Sequence, residues 1–266
     1  MKSTTGKTLE GLPPEVALAN APLVRVIAQV RFPTVLSVQD ENFVRVFQEL
    51  VREHYPILRP AQTHSVVPDA QGQPALQINK LWRFSSTDES WRLTLGKEFL
   101  SLETTKYCSR SDFMRRLKFG LEALKKGVHP TTVDRLGIRY VDRVVGGNVD
   151  DLNLLVKSEI AWILETDLFG ATRHTISEGF FDVPDAGCQL VARWGLLPPN
   201  ATIDPNILEP VEERSWILDL DAFRTANKLF DVDALIKDAN VCAEAIYRVF
   251  RKVVTDEFLR RYGGNL

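Results

Sequence analysis

Long apolar runs are missing from this 266-residue chain. A membrane helix needs roughly 18 consecutive apolar residues, and nothing approaches that, so no membrane span is expected. Cysteine is scarce. Cys108, Cys188 and Cys242 are odd in number, far apart and never in a CxxC pair. That excludes a zinc knuckle or a thioredoxin-type site and reads as free thiols in a reducing compartment. Histidine is limited to His54, His64, His129 and His174, with no HExxH and no pair four apart, so no metal site is expected. A large charge excess is also absent. The 33 Lys and Arg against 35 Asp and Glu leave a net charge of -2 and a pI near 6.1. This argues against broad electrostatic attraction to nucleic acid or acidic membranes and leaves room for a local patch. Phosphate loops are missing. Neither GxxxxGK[ST] nor GxGxxG occurs, and Gly146-Gly147 is followed by Asn148, Asp150 and Asp151, which would repel a phosphate. No GxSxG nucleophile elbow occurs either. No cofactor is expected, and the absences favour a protein that is not an enzyme.

What is present is ordinary globular material: 44% hydrophobic and 26% charged residues, enough chain to bury a core without staples. Residues 1–20 read as a tail. Their opening, MKSTTGKTLEGLPPEV, lacks the apolar segment of a signal peptide, so a cytoplasmic protein is expected. Leu23 to Phe32 alternates, with Val24, Val26, Ala28, Val30 and Phe32 on one face, and predicts a strand. Asp40 caps a predicted helix whose stripe is Phe43, Val46, Phe47, Leu50 and Val51, ended by Pro56. Residues 59–74, rich in Pro, Gln, Ser and Thr, read as a loop with at most a short strand at 64–67. Residues 75–84, 90–95 and 99–104 follow as an antiparallel meander. Residues 109–126 read as a helix that Ser109 or Ser111 can cap, with Phe113, Leu117, Leu121 and Leu124 on one face. Further strands are predicted at 135–145, 172–182, 189–196 and 215–223, with a helical connection at 150–164. A proline-rich irregular loop follows at 197–212. A long helix capped by Asp231 or Asp233 and a short one from Thr255 end the chain.

The predicted fold class is α+β. Residues 21–147 and 148–266 share an order of elements: an opening strand, further antiparallel strands, then a long amphipathic helix. WRLTLGKEFLS from Trp91 and WILDLDAFRT from Trp216 match in pattern. Two related antiparallel sheet units, each packed by a long helix, are therefore expected, in a helix-grip or saddle-like arrangement that allows both to share one sheet.

The segments PLVRVIAQVRFP, RLGIRYVDRV and AIYRVFRKVVTDEFLRRYG, in that order, resemble a family of uncharacterised, sporadically distributed prokaryotic proteins of about 250 residues. The resemblance implies no activity, catalytic residue or cofactor. A sporadic distribution implies an accessory gene, such as a defence or toxin–antitoxin component.

Four groups carry possible chemistry. Cys108 precedes a predicted helix start between Lys106 and Arg110, features that lower a thiol pKa. Asp219 and Asp221 share a strand face, as acid–base pairs or cation ligands can, and Glu165 and Asp167 lie just before another strand. The strongest group is basic. Arg135, Arg139 and Arg143 share one strand face, and Arg25 and Arg31 share another. If those strands are neighbours, five arginines line one surface suited to phosphate or carboxylate, with Trp82, Trp91 and Tyr140 available for stacking. Three readings follow: a module that binds another protein, a binder of an anionic ligand (nucleotide or nucleic acid) through the arginine face, or an enzyme without a legible motif. The first is preferred, and loops 59–74 and 197–212 are the expected places for binding residues.

Overall fold

The computed structural model describes residues 15–68, 73–161 and 166–266. Among the described residues, nine strands and five α-helices follow in chain order: β1 (Leu23–Arg31), α1 (Glu41–Val51), β2 (Ile57–Pro68), β3 (Pro74–Ser85), β4 (Trp91–Gly96), β5 (Phe99–Thr104) and α2 (Arg110–Gly127). Then come β6 (Thr132–Val145), α3 (Leu152–Leu155), β7 (Thr175–Val183), β8 (Cys188–Leu197), β9 (Ser215–Leu229), α4 (Val232–Val253) and α5 (Asp256–Arg261). The class is α+β with antiparallel pairing. No helix among the described residues is long and apolar enough to cross a membrane.

The chain forms two compact units, each assembled from separated stretches. Among the described residues, the first comprises Val26–Ile138 and Arg224–Asn240; the second comprises residues 15–25, Arg139–Phe223 and Val241–Leu266. The compact units interleave along the chain, each drawing on both sides of residue 147.

In the first unit the strand order β2-β3-β4-β5-β1 is a meander that returns to the opening strand. Helix α2 is capped as predicted, with the Asp112 amide donating to Ser109 Oγ at 3.1 Å. Phe113, Leu117, Leu121 and Leu124 are all buried, each worth about 2 kcal/mol in area removed from water. Gly120 lets α2 approach the sheet closely: a Cβ there would lie 3.0 Å from Leu93 Cδ2.

Two expectations fail in this unit. Residues 59–68 are not a loop, and residues 69–72 lie outside the described residues. Ile57–Pro68 is a strand paired with β3 throughout, from Ile57 opposite Ser85 to Pro68 opposite Pro74. Pro60 and Pro68 misled because β2 is the outermost strand, where a missing N–H has no partner to lose. The α1 stripe is also turned: Val44, Phe47 and Val51 are buried, whereas Val46 is 53% exposed.

In the second unit the order is β6-β9-β8-β7. Along β9 the alternate residues Trp216, Leu218, Leu220 and Ala222 are buried. The C-terminal end is tied down locally. The Thr255 hydroxyl donates to the Leu154 carbonyl at 2.7 Å and accepts from the Phe258 amide at 3.2 Å. The rings of Phe250, Phe258 and Tyr262 follow one another at 5.6 and 4.7 Å.

Candidate functional site

The second unit carries a row of alternating charge across four strands. Strand register sets Glu178 of β7 opposite Arg193 of β8, and Arg193 opposite Asp219 of β9. Arg193 pairs with Glu178 through Nε and approaches Asp219 with Nη1 at 3.6 Å. Asp219, fully buried at its side chain, accepts two parallel hydrogen bonds from Arg139 of β6, Nε at 2.7 Å and Nη2 at 2.6 Å. Asp204, from the loop between β8 and β9, adds a second carboxylate 3.8 Å from Arg139 Nη1. Burial works against the Arg139 charge. The Asp219 hydrogen bonds and the charges of Asp219, Asp221 and Asp204 together outweigh it, so its pKa is raised. Five charged groups here sum to one net negative charge, so Arg139 is engaged by the protein's own carboxylates.

One step along the same face the balance changes. Arg143 is only 7% exposed. Its Nη1 donates to the Glu209 carbonyl at 2.6 Å, while Nε and Nη2 are buried and have no hydrogen-bond partner. Burial, opposed by the Glu209 charge, lowers its pKa. Arg25, whose side chain is 11% exposed, reaches toward the carboxylate of the same Glu209 at 4.0 Å. Arg25 and Arg143 therefore converge on one residue of the 198–214 loop. The loop is closed on itself, with the Asn200 amide donating to the Val211 carbonyl at 2.7 Å. It is anchored by Leu208, which is buried with Val141, Leu197 and Ile217. Ser215, at the loop's end, is fully buried, and its hydroxyl also lacks a partner.

Asp142 lies between Arg143 and Val141 in sequence and so on the opposite face of β6. It is 6% exposed. Desolvation first, then the like charge of Asp219, pushes its pKa up to about 7.

Strand β7 ends the strand order. It exposes Ile176 (36%), Phe180 (59%) and Phe181 (46%). The Phe180 ring lies 6.3 Å from that of Phe223 of β9, and Phe181 folds back over the bare Cα of Gly179. Within Thr175–Val183 the charged residues are Glu178 and Asp182, with no Lys or Arg.

The remaining sequence-derived candidates fall elsewhere. Arg31 and Arg135 belong to the first unit. Arg31 is half exposed, 3.8 Å from a Glu98 carboxylate oxygen, and Arg135 lays its guanidinium along Gly137 of its own strand. Trp82 is buried and donates from Nε1 to the Val38 carbonyl at 2.7 Å. Trp91 is buried with the Arg116 guanidinium 4.3 Å from its ring. Neither indole offers a free face to a base. Cys108 is exposed, its sulfur 3.8 Å from the Lys106 carbonyl. Glu165 lies outside the described residues. Among the described residues no three His, Cys, Asp or Glu side chains gather as a metal ion requires. Sequence reasoning missed Arg193, Glu178 and Asp204. The only signal was the alternation of Glu178 and Arg193 across the turn from β7 to β8, which needs the register to be known.

Comparison with known proteins returns no matching family model and no matching curated sequence.

Proposed function

We propose that this protein is a non-enzymatic interaction module that binds another protein by accepting an extended segment along β7. The observation that carries the reading is a terminal strand that exposes Ile176, Phe180 and Phe181. A bare strand edge presents a row of backbone donors and acceptors, and natural proteins protect such edges with Lys, Pro or a covering element. Here Thr175–Val183 has none of the first two. Adding a strand satisfies the backbone, and side-chain contacts to the exposed rings supply specificity. The acidic Glu178 and Asp182 select the occupant. A second copy of β7 would bring carboxylates against carboxylates, so the expected partner segment is apolar and basic.

The accessory-system setting rests on the family resemblance and is part of the same proposal, as is a cytoplasmic location. So is the descent of the two units from one ancestor. It is supported by a tryptophan near the start of a strand in each, Trp91 in β4 and Trp216 in β9, both buried. A helix-grip or saddle arrangement belongs with that reading.

The test is capture from native lysate with the wild-type chain and with a Phe180→Ser/Phe181→Ser double variant. Both rings are largely exposed, so the variant should keep its Tm within a degree or two. A stoichiometric partner that crosslinks to β7 through a Lys- or Arg-bearing segment, and is lost from the variant, supports the proposal. A partner retained equally by the variant, or a wild-type chain that captures none, sinks it.

A further inference from the structure

The face shared by β6 and β9 has one guanidinium that, among the described residues, no carboxylate pairs with directly. Arg139 meets Asp219, and two residues on, Val141 packs with Ile217. β6 and β9 are neighbours. Continuing the alternation by two residues, forward on β6 and backward on β9, sets Arg143 across from Ser215. At the first position a carboxylate accepts both guanidinium donors. At the last, the guanidinium faces a serine.

The consequence is a concentration of unused donors. Arg143 Nε and Nη2 and the Ser215 hydroxyl are buried with no partner, and among the described residues no carboxylate pairs with Arg143. Arg25 is close by through Glu209, which meets Arg143 with its carbonyl and Arg25 with its carboxylate. A buried guanidinium without a counter-charge is strongly disfavoured, because desolvation is not offset by an ion pair. Buried polar groups are otherwise almost always satisfied. The Nε and Nη2 edge of arginine is a planar fork that matches two oxygens of a carboxylate or phosphate.

We propose that Arg143 and Ser215, roofed by the 198–214 loop, form a binding site for a small oxyanion, a phosphate or the phosphoryl end of a nucleotide. Two oxygens are held by Arg143 Nε and Nη2 and a third accepts from the Ser215 hydroxyl, with Arg25 supplying further positive field. The loop admits the anion by lifting Leu208 from its seat beside Val141 and Ile217, so binding is coupled to loop ordering. This site is independent of the β7 edge and differs from a broad arginine surface. It uses one arginine fork and a hydroxyl, and it leaves Arg139 with Asp219.

The experiment is thermal unfolding of the full chain at fixed ionic strength, titrating sodium phosphate against sodium chloride, with AMP as a second probe. Wild type should gain roughly 3–6 °C once phosphate exceeds its Kd about 100-fold. Arg143→Gln should abolish the gain. Ser215→Ala, which removes only a hydroxyl, should fold normally and bind about 10-fold more weakly. Arg31→Gln, in the other unit, should behave as wild type. A larger gain with AMP than with phosphate assigns the site to a nucleotide's phosphoryl group; an equal or smaller one assigns it to the free oxyanion. No gain with either probe overturns the proposal. So does a gain that survives both Arg143→Gln and Ser215→Ala, or one that Arg31→Gln removes.

Discussion

At the scale of single residues, β6 places a carboxyl and three cationic or apolar positions in environments that differ by one step of the strand pleat. Arg139 and Asp219 form a two-point ion pair with the carboxylate fully buried. Removing one member of such a pair costs about 3–5 kcal/mol, since it leaves an uncompensated buried charge. Asp142, on the other face, has no such support. Its folded pKa of about 7 stands above the ordinary value of 3.8 because burial disfavours the charged form and Asp219 repels it. Between those two values the folded protein holds a proton that the unfolded chain has released. Stability from this group therefore falls as pH rises from about 4 and levels off above about 7. Asp142→Asn removes the ionisation and keeps the size. The variant should be close to wild type at pH 4 and more stable at pH 8, by up to about 4 kcal/mol. Urea unfolding at the two pH values measures this. A stability difference that does not change with pH would show that Asp142 ionises in the fold as it does in the unfolded chain.

At the scale of elements, the pairing of β7 with β8 depends on one glycine. Gly195 stands opposite Ile176, and a Cβ on it would sit 1.9 Å from the Thr175 carbonyl oxygen. No rotamer relieves a clash with backbone, so Gly195→Ala must displace the start of β7. The expected result is loss of hydrogen-exchange protection along Thr175–Val183, with protection of β4 and β5 in the other unit unchanged. Protection of β7 equal to wild type would mean that the strand accommodates the methyl by a local shift. This contact illustrates what the sequence can and cannot disclose. Helix α2, with its Ser109 cap and its Phe113, Leu117, Leu121 and Leu124 stripe, is legible because cap, period and burial all agree. Strand β5 is legible to the residue, because GKE marks the turn that opens it. Strand β2 is not, because its prolines speak for a loop and only its outermost position makes them harmless. The five-arginine surface was half legible. Alternation puts Arg139 and Arg143 on a common face. It could not show that Asp219 claims the first and no carboxylate the second, because that distinction is set by cross-strand register. The edge aromatics Phe180 and Phe181 were unreadable for a related reason. Strand order, not local pattern, makes β7 terminal.

At the scale of the whole molecule, the chain passes between its two compact units four times. Each passage falls inside a regular element: β1 at Arg25–Val26, β6 at Ile138–Arg139, β9 at Phe223–Arg224 and α4 at Asn240–Val241. Independent domains are ordinarily joined by exposed linkers that few contacts cross. A strand or helix, by contrast, propagates order along its backbone, because its hydrogen bonds form cooperatively. Division after Gly147 separates what each unit needs. Residues 148–266 lose Arg139, so Asp219 is left as a buried carboxylate without its ion pair. Residues 1–147 lose Phe230, whose amide donates to the Thr131 carbonyl at 3.0 Å, and Asp233, which pairs with Lys118 at 2.7 Å. Neither fragment should fold alone. Each should show collapsed amide-proton dispersion in a nitrogen–proton NMR spectrum, while the two expressed together should recover a native-like spectrum. The intact chain should unfold in one transition, with near-ultraviolet and far-ultraviolet circular dichroism coincident in denaturant. A well-dispersed spectrum from either fragment, or two separated transitions in the intact chain, would mean that the strands and the helix crossing the boundary do not couple the units. The consecutive division at residue 147 would then describe the folding domains better than the interleaved one.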